Sequence, residues 1–235
     1  PCPDKLAPPP VIAGFGPAGM FAGLLLARAG YRPVIIERGG SLDERTAAVR
    51  RFGSGGTLDT RSNIQFGEGG AGAFSDGKLT TRINDPACGY ILRELVRFGA
   101  PREILYKAKP HVGTDLLVNA VRGVRGEIES LGGRVLFNER LTGLRERGGR
   151  LCAVVTERGE LVAEALILAI GHSARDTFEM LHAGGITLLP KPFSVGVRVE
   201  HLQSEVDRAL YGEFAGHPAL GHAEYQHSLR DAVSG

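Results

Sequence analysis

Val11-Ile12-Ala13-Gly14-Phe15-Gly16-Pro17-Ala18-Gly19-Met20 is the stretch that decides the fold, together with its continuation to Gly40. Val11 to Ala13 is a short apolar run, Gly14 to Gly19 is a G-x-G-x-x-G turn, and Met20 to Ala29 continues at helical spacing. Gly30, able to take positive φ, closes that helix. Val34-Ile35-Ile36 then forms a second apolar run, buried on both faces, that ends at Glu37. Strand, turn, helix, strand and acid in this order predict a βαβ unit of an α/β protein with a parallel sheet.

The physics of the turn gives each residue a task. Gly14 permits a sharp exit from the strand, Gly16 lets the backbone approach a pyrophosphate, and Gly19 lets helix and strand pack closely. A pyrophosphate sits at the helix N-terminus, where unpaired N–H groups and the positive end of the dipole face it. Pro17 occupies the first turn, where its missing donor costs nothing. Ala18, Ala22 and Gly23 are expected to keep the sheet-facing side thin. Glu37 lies 18 residues after Gly19, so its carboxylate is placed to accept from the ribose 2′-OH and 3′-OH of a dinucleotide. Replacing Glu37 is expected to weaken that binding and to spare the fold.

A second match, Gly67-Glu68-Gly69-Gly70-Ala71-Gly72, is followed by Phe74-Ser75-Asp76-Gly77 and lacks a helix to open. Only the first copy has the context of a dinucleotide site. Ser41-Leu42-Asp43-Glu44 is a capping box for a helix from about Leu42 to Phe52, which brings Arg38 and Arg45 towards the dinucleotide phosphates. Residues 53–82 carry eight glycines in their first 25 positions, and successive backbone N–H groups of such a loop can turn towards one anion or the edge of a flat ring. Ile64, Phe66, Phe74 and Leu79 punctuate it as apolar anchors, so it reads as a cofactor-wrapping loop. The loop contributes Gly69, Gly70, Ala71, Gly72, Ser75, Asp76 and Lys78 as candidate contacts.

Gly14 to Gly19 with Glu37-Arg38-Gly39, followed by the block from Asn63 to Gly72 and by Phe74 to Arg82, resembles the bacterial FAD-dependent dehydrogenases of the glutathione-reductase-like flavoprotein superfamily. The resemblance implies a Rossmann-like FAD/NAD(P)-binding fold, a parallel sheet flanked by helices and a β-meander. It puts the FAD pyrophosphate on the first motif, the adenosine ribose on Glu37, and the Gly67 to Lys78 loop near the flavin. It also implies an adenine read by backbone groups near Leu141, with NAD(P)H a possible reductant. Ala165 to Gly171 is similar to the superfamily's strand-then-Ala-Thr-Gly element, with Ile170 where threonine is usual; Gly171 and His172 are its candidate cofactor neighbours.

Elsewhere the spacing predicts a helix from Asp85-Pro86 to Phe98, a helix capped by Thr114 or Asp115 and running to Leu131, and a strand from Arg134 to Phe137. A meander follows over Leu141 to Glu146, Leu151 to Glu157 and Glu160 to Glu164. Residues 1–10 form a proline-rich lead-in, 11–187 the dinucleotide-binding domain, and 188–235 the start of a second, substrate-facing domain, with Phe193 to Val199 as a half-exposed strand. The chain is expected to be an excerpt of a longer protein. His111 reads more readily as a structural hydrogen-bonder than as a substrate contact.

A 235-residue chain with 43% hydrophobic residues can bury a large core. Its net charge of +2, without a basic stripe, argues against nucleic acid. No apolar run is long enough for a membrane span, and three scattered cysteines without a C-x-x-C fit a cytoplasmic protein that performs no dithiol chemistry. His217, His222 and His227 recur every five residues, a spacing that puts no two on one face, so no metal is expected. The reading is a flavin-dependent oxidoreductase acting on a small molecule, its catalytic residues and oligomeric state not readable. The competing readings are an NAD-linked Rossmann dehydrogenase and a nucleotide-binding protein without turnover.

Overall fold

The computed structural model describes residues 8–74, 77, 79, 83, 85–107, 112–191, 196, 197 and 199–225. It divides into two compact units, Pro1–Leu188 and Leu189–Gly235.

The first unit is built on a four-stranded parallel sheet of β1 (Val11–Ala13), β2 (Val34–Ile36), β3 (Arg134–Leu136) and β7 (Leu166–Leu168), in the order β3-β2-β1-β7. Ile12 and Ile35 face one side, where α1 (Pro17–Arg28), α3 (Pro86–Arg97) and α4 (Thr114–Ser130) form the larger core around Phe15, Leu24, Val124 and Ile128. Val11, Ala13, Val34 and Ile36 face the other, against Leu141, Val154 and Ala163 of an antiparallel meander. That meander is β4 (Leu141–Arg147), β5 (Arg150–Thr156) and β6 (Gly159–Val162). The central strands β1 and β2 are buried on both faces, which is why they read as continuous apolar runs and show no alternation.

Local signals place most boundaries. Ser41 and Glu44 form the expected box at the start of α2 (Leu42–Gly53), and Asp85 accepts from the Ala87 amide at 2.7 Å ahead of α3. At α4 the cap is Gly113 at φ +82, one residue before the two expected candidates, and Asp115 falls inside the first turn. Gly23 is the residue that keeps α1 close to the sheet, since a Cβ there would stand 2.6 Å from Ile35 Cδ1. Ala18, expected beside it, is exposed. The second G-x-G-x-x-G opens only a 3-10 turn over Ala71–Phe74.

After β7 the chain enters α5 (Arg175–Ala183), with Ala174 at the cap position. The second unit contains α6 (Gln203–Tyr211). Asp207 on α6 accepts from the Ala223 amide at 2.7 Å and contacts His222 Nδ1 at 3.1 Å. The strand expected over Phe193 to Val199 falls largely outside the described residues, as do His111 and His227. Among the described residues no helix is long and apolar enough to cross a membrane.

Candidate functional site

The turn between β1 and α1 is tight because its glycines leave no alternative. Gly14 takes φ +103 and donates to Ile36 O at 2.8 Å; a Cβ on it would lie 2.3 Å from Ala169 O at the end of β7. A Cβ on Gly19 would lie 1.9 Å from Gly14 O. Gly16 differs. It adopts φ −78 at the helix N-cap, and the nearest atom to a Cβ there is Gly70 Cα at 3.6 Å. Pro17 opens the helix, no side chain caps it, and no acid lies in its first turn. The N-terminal N–H groups and the positive end of the dipole are therefore left for an anion.

That end of the helix opens into a crevice of about 490 Å³, within the size range of cofactor sites. Gly14, Gly16, Pro17 and Ala18 of the turn line it, with Glu37 and Arg38 after β2, Leu141 and Gly171, and the apolar Phe178 and Leu181 of α5. Glu37 is 5% exposed. Its Oε2 accepts from the Phe15 amide at 2.8 Å, and its Oε1 from the amides of Gly39 and Gly67, each at 3.0 Å. The acid is thus in the crevice as expected, and the backbone of the turn already holds it.

Arg38 lines the crevice but turns to an acid. Its Nη2 donates to both Asp176 oxygens at 2.7 and 2.6 Å, and its guanidinium stacks 4.4 Å from the Phe66 ring centroid. Arg140 donates to the same carboxylate at 2.8 Å. Burial works against the charge on Asp176, yet these two guanidiniums hold its carboxyl below the usual range.

Arg45 corrects the expectation drawn from sequence. It has no exposed surface and does not line the crevice. Nε donates to Asn63 O, Nη2 to Ile64 O and Nη1 to Glu68 O, all at 2.7 Å, and the guanidinium lies 4.6 Å from the Phe74 centroid. A side chain without exposed surface, its guanidinium turned to loop carbonyls, is not placed to reach a phosphate in the crevice. Burial pushes it down to about 10, still far above neutrality, so the buried charge persists.

The Gly-rich loop packs on the turn itself. Gly69 donates to Phe15 O at 2.9 Å, and a Cβ on Gly70, at φ +61, would lie 2.9 Å from Gly16 Cα. Ala71 and Gly72 sit in the 3-10 turn behind it, and none of Gly69, Gly70, Ala71 or Gly72 lines the crevice. Leu141 and Gly171 line it; His172 does not, and its Nδ1 lies 2.8 Å from Ser173 Oγ. Ser75, Asp76 and Lys78 lie outside the described residues. Arg140, Gln65 and Phe66 also line the crevice, and Asp176 is tied to it through Arg38 and Arg140; none of the four was a candidate contact. The α5 wall was legible in the sequence as a helix start over Ser173 to Asp176.

Residues 192–234 match the family model described as FAD-dependent protein, C-terminal domain-like. A protein of Clostridium beijerinckii described as uncharacterized is 50% identical over 223 residues, which cover 95% of this chain and 42% of that protein. The chain therefore spans less than half the length of this curated relative. Among solved structures, L-proline dehydrogenase from P. horikoshii is 13% identical, with 79% of this chain and 58% of that chain covered and a TM-score of 0.52. THI4 of Thermovibrio ammonificans is 22% identical, with 77% and 64% covered and a TM-score of 0.49. The first of these structures shares the Rossmann-like fold.

Proposed function

We propose that this chain is the FAD-binding part of a flavin-dependent oxidoreductase that acts on a small-molecule substrate. The observation that carries the reading is the convergence, on one crevice, of an uncapped helix N-terminus behind a glycine turn and a buried acid with a spare acceptor site. Among the described residues Glu37 Oε2 accepts from Phe15 alone, which leaves it a lone pair for a ribose hydroxyl. The match of residues 192–234 to an FAD-dependent protein family supports flavin over other dinucleotides.

The residues fit the adenosine diphosphate half of FAD. The first-turn N–H groups of α1 hold the pyrophosphate, Gly16 lets it come close, Glu37 orients the ribose, and the apolar wall of Phe178 and Leu181 excludes water from the adenine. Leu141 lines the same crevice, which supports a backbone contact to the adenine there. Bound FAD supplies hydride and electron transfer; the protein holds and orients it. The buried carboxylate of Glu37 also disfavours a 2′-phosphate at the same ribose. NADH or NADPH is the proposed reductant, and the unpaired Cys88 and Cys152 support a cytoplasmic setting.

A three-stranded meander lies between β3 and β7, where an NAD-linked Rossmann dehydrogenase would continue with further βα repeats, which favours the flavin reading. The visible spectrum of the purified protein tests it: a yellow chromophore released by denaturation and identified as FAD is expected. A colourless protein that binds NAD would replace this reading with the nicotinamide one. Anaerobic stopped-flow reduction by NADH or NADPH then tests turnover, and a bound flavin that no donor reduces would point to a binding role without catalysis.

A further inference from the structure

An arginine with no exposed surface must have its charge and donors answered inside the protein. Arg45 meets that requirement with the carbonyls of Asn63, Ile64 and Glu68, and with Gly67 O at the longer distance of 3.5 Å. A backbone that turns several carbonyls inward to one guanidinium is left with N–H groups facing the other way. Two of them meet the glycine turn and its acid. Gly67 N donates to Glu37 Oε1 and Gly69 N donates to Phe15 O. Between them lies Glu68, also without exposed surface, whose Oε2 accepts from the first amide of α2 at 2.8 Å. Its Oε1 sits 2.8 Å from Arg125 Nε, close enough for an ion pair though not aligned for a hydrogen bond. The fit at Gly67 is close: a Cβ there would stand 2.5 Å from Arg45 Cδ.

We propose that Arg45 is a positioning residue for the cofactor. By gathering the loop carbonyls it fixes the Gly67 amide on Glu37 and seats Gly70 against Gly16 and Pro17, and so holds ribose acid and phosphate turn in register. It touches neither group itself and acts through the loop. The planar fork of arginine is what the task needs, since its donors span carbonyls that the single ammonium of lysine cannot reach together. The inference rests on the FAD reading of the crevice.

The test is a double-variant cycle on FAD affinity, measured by titrating flavin-free protein with FAD for wild type, Arg45→Lys, Glu37→Gln and the pair. Each single variant is expected to weaken binding about tenfold, and the pair no more than the weaker single variant, because both act through one contact. A merely structural role for Arg45 would give losses that multiply. Should Arg45→Lys fail to fold, Phe74→Leu, which removes only the ring beside the guanidinium, takes its place and must show the same coupling. Wild-type affinity in Arg45→Lys, or independent losses, overturns the proposal while leaving the flavin reading intact; a wild type that binds no FAD removes the reading beneath it.

Discussion

The amide of Phe15, between the first two glycines of the turn, donates to Glu37 Oε2 at 2.8 Å, so the acid expected to grip a ribose also fastens the turn to the end of β2. Together with Gly39 and Gly67 on Oε1, this makes Glu37 part of the fold. Glu37→Ala is therefore expected to lose FAD and also about 3 kcal/mol of stability, since three buried amides lose a charged acceptor. The sequence reading expected the fold to be spared. Urea midpoints of the flavin-free proteins decide between them: an unchanged midpoint would return Glu37 to a purely ligand-facing role.

Gly16 and Gly19 are expected to separate binding from folding. Alanine at Gly19 drives its Cβ to within 1.9 Å of Gly14 O, and relieving that clash costs about 3 kcal/mol or more. Alanine at Gly16 meets nothing closer than 3.6 Å and suits the local φ of −78. Its methyl instead occupies space in the crevice that Gly16 lines. Gly16→Ala should keep the melting temperature of the flavin-free protein and weaken FAD binding at least about tenfold, whereas Gly19→Ala should lower both. Equal melting temperatures for the two variants would contradict this account of the turn.

What could be read in advance was local. The fingerprint, the capping box of α2 and the Asp85 cap each lie within a few residues of what they determine, and the apolar runs announce a sheet covered on both faces. Arg45 shows where such reading stops. An arginine one turn into a helix near a phosphate turn looks the same whether its head group goes to a phosphate or to loop carbonyls. Only the course of a segment with no helix or strand decides it. Arg38 and Asp176 are 138 positions apart, and nothing in either neighbourhood names the other. The helix α6 did carry a signal, Leu202, Val206 and Leu210 at four-residue spacing.

Away from the crevice, Arg28 joins three helices. Its guanidinium donates to Glu127 at 2.7 Å, Glu94 at 2.8 Å and the Tyr90 hydroxyl at 3.2 Å, and this hydrogen bond holds the Glu127 carboxyl below its usual value of 4.5. A carboxyl depressed in the folded state stabilises above its unfolded pKa and loses that contribution as pH falls through the folded one. Glu127→Gln is expected to cost about 1 kcal/mol at pH 7, with the difference from wild type shrinking below pH 4.5. FAD affinity should not change. Chemical denaturation at neutral and acid pH checks it, and a difference independent of pH would place the effect in packing.

Arg38 and Asp176 bridge the crevice wall from the residue after Glu37 to the first turn of α5, and the same carboxylate takes a second bond from Arg140. The Asp176 and Arg140 side chains are 40% and 38% exposed, so the ion pairs are solvated and each contributes under about 1 kcal/mol to stability. Asp176→Asn should therefore leave the melting temperature nearly unchanged. Arg38 and Arg140 line the crevice, so on the proposed FAD reading their bridge to Asp176 restrains release of the cofactor. The variant is expected to release FAD several-fold faster than wild type at low ionic strength. Salt screens exposed charges, so the wild-type rate should rise towards that of the variant in about 1 M NaCl, while the variant's own rate changes little. The two arginines keep Asp176 ionised below the usual carboxylate range, so mild acid should not mimic the substitution. Release is followed as flavin fluorescence after dilution into a trap of flavin-free protein, and equal rates at low salt would show that the bridge does not gate the cofactor.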